Sequence, residues 1–210
     1  MLQTRTVERP LWNLLINLQK QEMLSGYFLV GGTALSLQLG HRMSVDIDLF
    51  TRGDIDKEDI LGFLNREYGG SCQIHNMRKT VLQVSINGIN VDFLKHDYRL
   101  IEEIKSEDGV RFLGIKDIAA MKLMAIANRG DQAKDFVDIF YPLREMPLSE
   151  MFECYKLKYK QNDVSAIKKS IVYFDDVTES SWAAVKLFEG PLSADVVKRE
   201  ITEEMLRYSS

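Results

Sequence analysis

Apolar spacing sets the first expectations. Leu11, Leu14, Leu15 and Leu18 recur at helical intervals behind Pro10, a residue that a first helical turn tolerates. They predict a helix running to about Leu24, with Gly26 ending it. Tyr27-Phe28-Leu29-Val30 is an apolar run with the length of a buried strand. Gly31-Gly32 breaks that run, and residues 33–39 read as a short helix closed by Gly40. Asp46-Ile47-Asp48-Leu49-Phe50 alternates polar and apolar, as a strand does. Residues 56–68 carry Ile60, Phe63 and Leu64 at helical spacing and stop at Gly69-Gly70. Residues 72–77, 81–86 and 89–94 read as strands, the last two joined by an Asn87-Gly88 hairpin turn, and 110–113 adds one more.

Beyond Gly114 the alternation fades. Helices are predicted over 117–128, 133–143, 148–160, 164–174 and 194–208, with Asp163 and Ser193 as N-caps. The first few residues, 95–109 and 175–181 read as loose connections. The fold class expected is α/β (α+β). Residues 1–115 form a core with a mixed sheet flanked by helices, and residues 116–210 form a helical domain that completes a cleft.

Composition narrows the function. The 210 residues are 45% hydrophobic and 28% charged, which excludes a wholly disordered chain. No run of eighteen apolar residues occurs, so no membrane span is expected, and the polar N-terminus lacks the features of a signal peptide. A net charge of −4 and a pI near 5.5 exclude a global basic field for nucleic acid, though not a local patch. Cys72 and Cys154 lie far apart and His41, His75 and His96 are scattered, which argues against a Cys/His zinc site. A reduced, cytoplasmic protein is the expectation.

The chemistry concentrates in the acids. Asp46 and Asp48 stand two apart on a strand and project to one face, where like charges conflict. A divalent cation relieves that conflict, and Mg2+ binds through one or two carboxylates plus substrate phosphates. Asp92 has the same apolar strand setting in Asn90-Val91-Asp92-Phe93-Leu94. If the two strands are neighbours, three carboxylates converge and can hold two metal ions for in-line phosphoryl displacement. Gly31-Gly32 falls at a strand-to-helix junction, where backbone N–H groups can cradle phosphate. No GxxxxGK[ST] occurs, so this is not a P-loop.

Together, Gly31-Gly32, Asp46-x-Asp48 and the later Asp92 resemble the signature of the DNA polymerase β-like nucleotidyltransferase superfamily. The longer string Gly31-Gly32-Thr33-Ala34-Leu35, with His41-Arg42-x-Ser44-x-Asp46-Ile47-Asp48-Leu49-Phe50, is closer to its AbiEii/AbiGii-type toxin branch. Asp117-Ile118-x-x-Met121-Lys122-x-x-Ala125, Arg129 and Lys134-Asp135-x-x-Asp138 are similar to that branch's third and fourth motifs. The resemblance covers residues 27–140 in pieces. It implies an NTP-dependent nucleotidyltransferase in which Gly31, Gly32 and Ser44 lie near the triphosphate. Asp46, Asp48 and Asp92 would ligate Mg2+, with Mn2+ as a substitute. Asp92 would also help deprotonate the attacking hydroxyl. Lys122 would contact phosphate, and Asp135 matches the fourth-motif acid. Arg42, Arg129 and Lys134 would join the nucleotide site. The implied acceptor is an RNA 3′ end such as tRNA, and the implied partner an antitoxin protein. A protein or antibiotic acceptor, and a nucleotide-binding module without turnover, remain as alternatives.

Blander readings stand beside these. Asp46 and Asp48 could be an exposed strand face, and Gly31-Gly32 a plain turn. Lys122 could snorkel to solvent, with Arg129 on the same helical face. Asp135 and Asp138 could pair with Lys134 or Arg129 as helix-stabilising salt bridges, the reading expected for Asp138, and His41 is expected to be a merely polar loop residue. Cys72 and Cys154 are expected to pack as small hydrophobes. Lys156, Lys158, Lys160, Lys168 and Lys169 read as a solvated face, or else as a hold on an RNA backbone.

Overall fold

In the computed structural model, residues 1–188, 190 and 192–209 are described. Among them, seven strands form one mixed sheet: β1 (Tyr27–Leu29), β2 (Ile47–Thr51), β3 (Cys72–Arg78), β4 (Val81–Ile86), β5 (Ile89–Lys95), β6 (Lys105–Glu107) and β7 (Val110–Phe112). The order is β3-β4-β5-β2-β1-β7-β6. The β2–β5 and β1–β7 pairs are parallel and the other neighbours antiparallel. Helices α1 (Arg9–Gln19), α2 (Gly31–Leu39) and α3 (Lys57–Tyr68) belong to this half. Helices α4 (Ile115–Asn128), α5 (Ala133–Phe140), α6 (Leu148–Tyr159), α7 (Ser165–Ile171), α8 (Glu179–Ala183) and α9 (Ala194–Ser209) follow.

Local chemistry explains the punctuation. Gly40 caps α2 with φ +72°, a left-handed conformation costly for other residues. Asp56 caps α3 by accepting from the Asp59 amide at 3.0 Å. Asn87 (φ +52°) and Gly88 (φ +81°) make the tight β4–β5 turn. Asp163 caps α7 from one position before its N-cap, accepting from Ser165 N at 2.8 Å, and Ser193 Oγ accepts from Asp195 N at 3.1 Å.

Several boundaries differ from expectation. Helix α1 ends at Gln19, and residues 22–24 form a separate 3-10 turn. The glycine pair is the first turn of α2 rather than a gap before it. Helix α5 stops at Phe140 because Pro142 starts a 3-10 turn. Helix α7 ends at Ile171, three residues early. Strand β6 and helix α8 occupy segments expected to be loose.

Buried apolar residues fall into two clusters. The first joins Ile47, Leu49, Val91 and Phe93 of the sheet to Leu15 and Leu18 of α1 and Leu64 of α3. The alternate residues Asp48, Gln83 and Asp92 therefore face away from that cluster. The second gathers Leu123, Phe136, Phe152 and Ile201 from the later helices. Leu39 and Ile115 pack against both clusters. The free cysteines lie in these clusters, Cys154 buried and Cys72 half-buried, as small apolar side chains.

Candidate active site

The parallel β2–β5 register sets Asp48 directly beside Asp92. Asp46 immediately precedes β2. Its Oδ1 accepts from Asn90 Nδ2 at 3.1 Å, and its Oδ2 lies 4.0 Å from Lys134 Nζ. Burial, and then the neighbouring Asp92 charge, push the Asp48 carboxyl up to about 6. Burial also raises Asp92, against the pull of a 2.6 Å hydrogen bond from Gln83 Nε2 to its Oδ2. Two acids that resist simultaneous ionisation make a site that a cation would stabilise. Among the described residues no three His, Cys, Asp or Glu side chains already stand at metal-ligating spacing. The all-oxygen donor set nonetheless suits a hard cation that takes one or two carboxylates and completes its shell with phosphate and water.

The glycine pair lies against these acids. Gly31 has φ +67°, and a Cβ there would collide with Asp48 Oδ2. A Cβ at Gly32 would strike the Arg42 guanidinium. Only glycines allow the first turn of α2 to sit this close to both a carboxylate and a cation. Behind them, Thr33 Oγ1 donates to the Asp46 carbonyl and lies 2.8 Å from Ser44 Oγ, so α2 holds the approach to β2 in place.

A buried charge network forms the other wall. Asp138 is wholly buried and accepts from Arg42 Nε and Nη2, both at 2.7 Å. It also lies 2.7 Å from Lys122 Nζ and 2.9 Å from His41 Nε2. Burial alone would raise Asp138, but Arg42 and Lys122 hold it well below the usual carboxylate range. Burial likewise opposes the charge on Lys122, and Asp138 and Asp135 overcome it, so its pKa is raised. Asp135 accepts from Lys122 at 2.6 Å and from Arg129 at 3.2 Å. His41 is kept neutral by burial. It donates from Nε2 to the ionised Asp138, and its Nδ1 has no partner.

Gly31, Gly32, Arg42, Ser44, Asp46, Asp48 and Asp92 border one cleft of about 940 Å³, and so do Lys122, Arg129, Lys134 and Asp135. The later helices close it. Lys186 O accepts from Met43 N at 2.8 Å, and His41 O accepts from Phe188 N at 3.1 Å, so the segment after α8 runs beside Arg42. Thr178, Ser180 and Ser181 add hydroxyls to the rim.

Four expectations are corrected. Asp138 faces inward and pairs with His41, Arg42 and Lys122, while Arg129 pairs with Asp135 and Lys134 reaches toward Asp46. His41 is a buried member of that network rather than a polar loop residue. Lys122 does not snorkel, since two of its three donors are held by buried acids. Lys158 leaves the solvated lysine face. It is buried and ion-paired to Asp117 at 2.7 Å, while Asp117 also accepts from the Ile101 and Glu102 amides. Gln83 and Asn90 were missed altogether. Asn90 stands two residues before Asp92 on the same strand face, and the Asn87-Gly88 hairpin register is the signal that sets Gln83 opposite Asp92.

Comparison with known proteins bears on the family and the fold. A family model described as nucleotidyl transferase AbiEii toxin, type IV TA system, matches residues 14–207. An uncharacterized protein of Aquifex aeolicus (strain VF5) is 33% identical over 183 residues, covering 84% of this chain and 87% of the relative. Among solved structures, a putative nucleotidyltransferase from H. pylori aligns over 93% of this chain and 90% of its own, with TM-score 0.60 and 16% identity. MenT4, a nucleotidyltransferase toxin from Mycobacterium tuberculosis H37Rv, aligns over 91% of this chain and 78% of its own, with TM-score 0.57 and 15% identity. The structures share the fold; the family match over most of the chain goes further. This chain is a nucleotidyltransferase and belongs to the AbiEii nucleotidyl transferase toxin family.

Proposed function

We propose that the protein moves a nucleoside monophosphate from a nucleoside triphosphate to the 3′ hydroxyl of an RNA, with tRNA favoured, as the toxin of a type IV toxin–antitoxin pair in the cytoplasm. The observation that carries the reading is the Asp48–Asp92 pair set side by side under a glycine-only helix start. Asp46, Asp48 and Asp92 would hold Mg2+, or Mn2+ in its place. When bound, the metal would offset charge on the triphosphate and on the reacting oxygens.

The chain's own groups do the rest. The first turn of α2 and Ser44 receive phosphate oxygens. Lys122, Arg129 and Lys134 supply positive charge to the same cleft, with Asp135 fixing Lys122 and Arg129. Arg42, locked by Asp138, sets the surface beneath Gly32. Asp92 takes the proton of the acceptor hydroxyl. That oxygen bonds to the α-phosphorus, the α–β bridging P–O bond breaks, and pyrophosphate leaves. Residues 1–115 carry the carboxylates, and residues 116–210 act as the helical domain that closes the cleft.

The test is label transfer. Wild type and Asp46→Asn/Asp48→Asn are incubated with Mg2+, each of four α-labelled nucleoside triphosphates, and total bacterial RNA and protein. Label in RNA with wild type only is expected, and its position names base and acceptor. Label in protein alone would overturn the RNA assignment, and no label anywhere would overturn unassisted macromolecular transfer. Expression of wild type is expected to arrest growth, with Asp48→Asn harmless.

A further inference from the structure

We infer that Gln83, set by Asn76, is a positioning residue that holds Asp92 ready for its cation; this rests on the metal reading above. The β4–β5 register places Gln83 opposite Asp92, and its Nε2 donates to Asp92 Oδ2 at 2.6 Å. An ionised carboxylate only accepts, so Gln83 must present its NH2 there and its carbonyl elsewhere. That carbonyl oxygen accepts from Asn76 Nδ2 at 2.9 Å. The two amides thus form a directed chain, Asn76 to Gln83 to Asp92, in which each orientation fixes the next.

The backbone is shaped for this chain. Pairing between β3 and β4 is regular from Cys72 to Ile74, then slips by one residue. Continued in register, the strand would set His75 opposite Gln83. The irregularity sets Asn76 there instead. Bulges re-aim side chains at such places. His75 carries a ring that is a poor substitute for a neutral amide donor of fixed polarity. Gln83 fastens one oxygen of Asp92 while adding no charge. A lysine there would also donate, but its charge would compete with the cation. Asp46 is treated alike, with the neutral Asn90 amide on one oxygen.

The experiment is Mn2+ titration followed by electron paramagnetic resonance, with a non-hydrolysable nucleoside triphosphate present. Proteins are wild type, Gln83→Met, Asn76→Ala and Gln83→Lys, with unfolding curves run alongside. Loss of a group that orients a metal ligand typically costs about 10–100-fold in metal affinity. Gln83→Met is expected near the lower end, about 10-fold, with its unfolding midpoint unchanged. Asn76→Ala, which frees the Gln83 amide without removing it, should weaken Mn2+ less. Gln83→Lys should weaken it at least as much as Gln83→Met despite restoring a donor. Wild-type affinity in Gln83→Met would overturn the positioning role while leaving the metal reading intact. Wild type failing to bind Mn2+ would overturn both. Should Gln83→Met not fold, an unaltered Mn2+ affinity in Asn76→Ala would overturn the chain of amides.

Discussion

Asp48→Asn should disable the enzyme and stabilise the metal-free protein. Burial and the Asp92 charge raise the Asp48 carboxyl from an ordinary 3.8 to about 6 in the folded chain. A raised folded-state value favours folding fully below pH 3.8, and that contribution is lost as pH rises through about 6. Above pH 7 the folded protein therefore carries an ionised Asp48 that the unfolded chain tolerates better. The interval corresponds to about 3 kcal/mol, and solvent screening of this half-buried group reduces the expected gain on removing the charge to about 2 kcal/mol. The assay is urea unfolding of chelator-treated wild type and Asp48→Asn at pH 3.5, 5 and 7.5. The difference should be near zero at pH 3.5 and grow to its full value at pH 7.5. Saturating Mg2+ with a nucleotide should reduce or reverse it, because only the wild type gains the ligand's binding energy. A variant no more stable than wild type at pH 7.5, or a difference independent of pH, would refute the reasoning.

Other perturbations test other walls of the cleft. Asp138→Asn leaves Arg42 and Lys122 short of a buried counter-charge and should cost about 3 kcal/mol in urea unfolding, since unpairing buried charges is strongly destabilising. An unchanged midpoint would contradict the network. Gly31→Ala should abolish label transfer and cost about 1–3 kcal/mol from its positive φ and the collision with Asp48. Gly88→Ala, also at positive φ but with nothing within 4 Å of its Cβ, should cost about 1 kcal/mol and keep full transfer. Lys158→Met strands the buried Asp117 charge and should cost about 3 kcal/mol without changing the KM for nucleotide, because neither residue borders the cleft.

What could be read from the chain depended on how far apart the partners lay. The Asn87-Gly88 turn and the Gly40 cap declare themselves within a few residues, and their elements lie where the pattern placed them. Strand β6 was equally readable in principle. It is joined to β7 by Asp108-Gly109, with φ +53° and +81°, the same turn chemistry as Asn87-Gly88. Its own Lys105-Ser106-Glu107 has no apolar alternation to announce a strand. The acids and glycines could be picked out because their spacing is local. Their buried supports could not: His41 and Arg42 meet Asp138 across almost a hundred residues, and Lys158 meets Asp117 across forty-one. Lys158 lies three residues after Tyr155 and seven after Met151, on the buried face of α6, but a lysine so placed reads as inward only once its distant partner Asp117 is known.

The cleft draws its border from Glu8 through to Lys186, and that spread has a consequence for the protein's synthesis. Asp48 acquires its neighbour only when Asp92 has been made and paired, Lys122 its acids only after Asp138, and the rim hydroxyls only after Ser181. A ribosome-bound chain therefore holds no finished site until residue 186 has been made. Any chain stopped before residue 186 is missing part of the wall. A nucleotidyltransferase built this way gains its site late and as a unit, so chains truncated before residue 186 should show no nucleotidyl transfer.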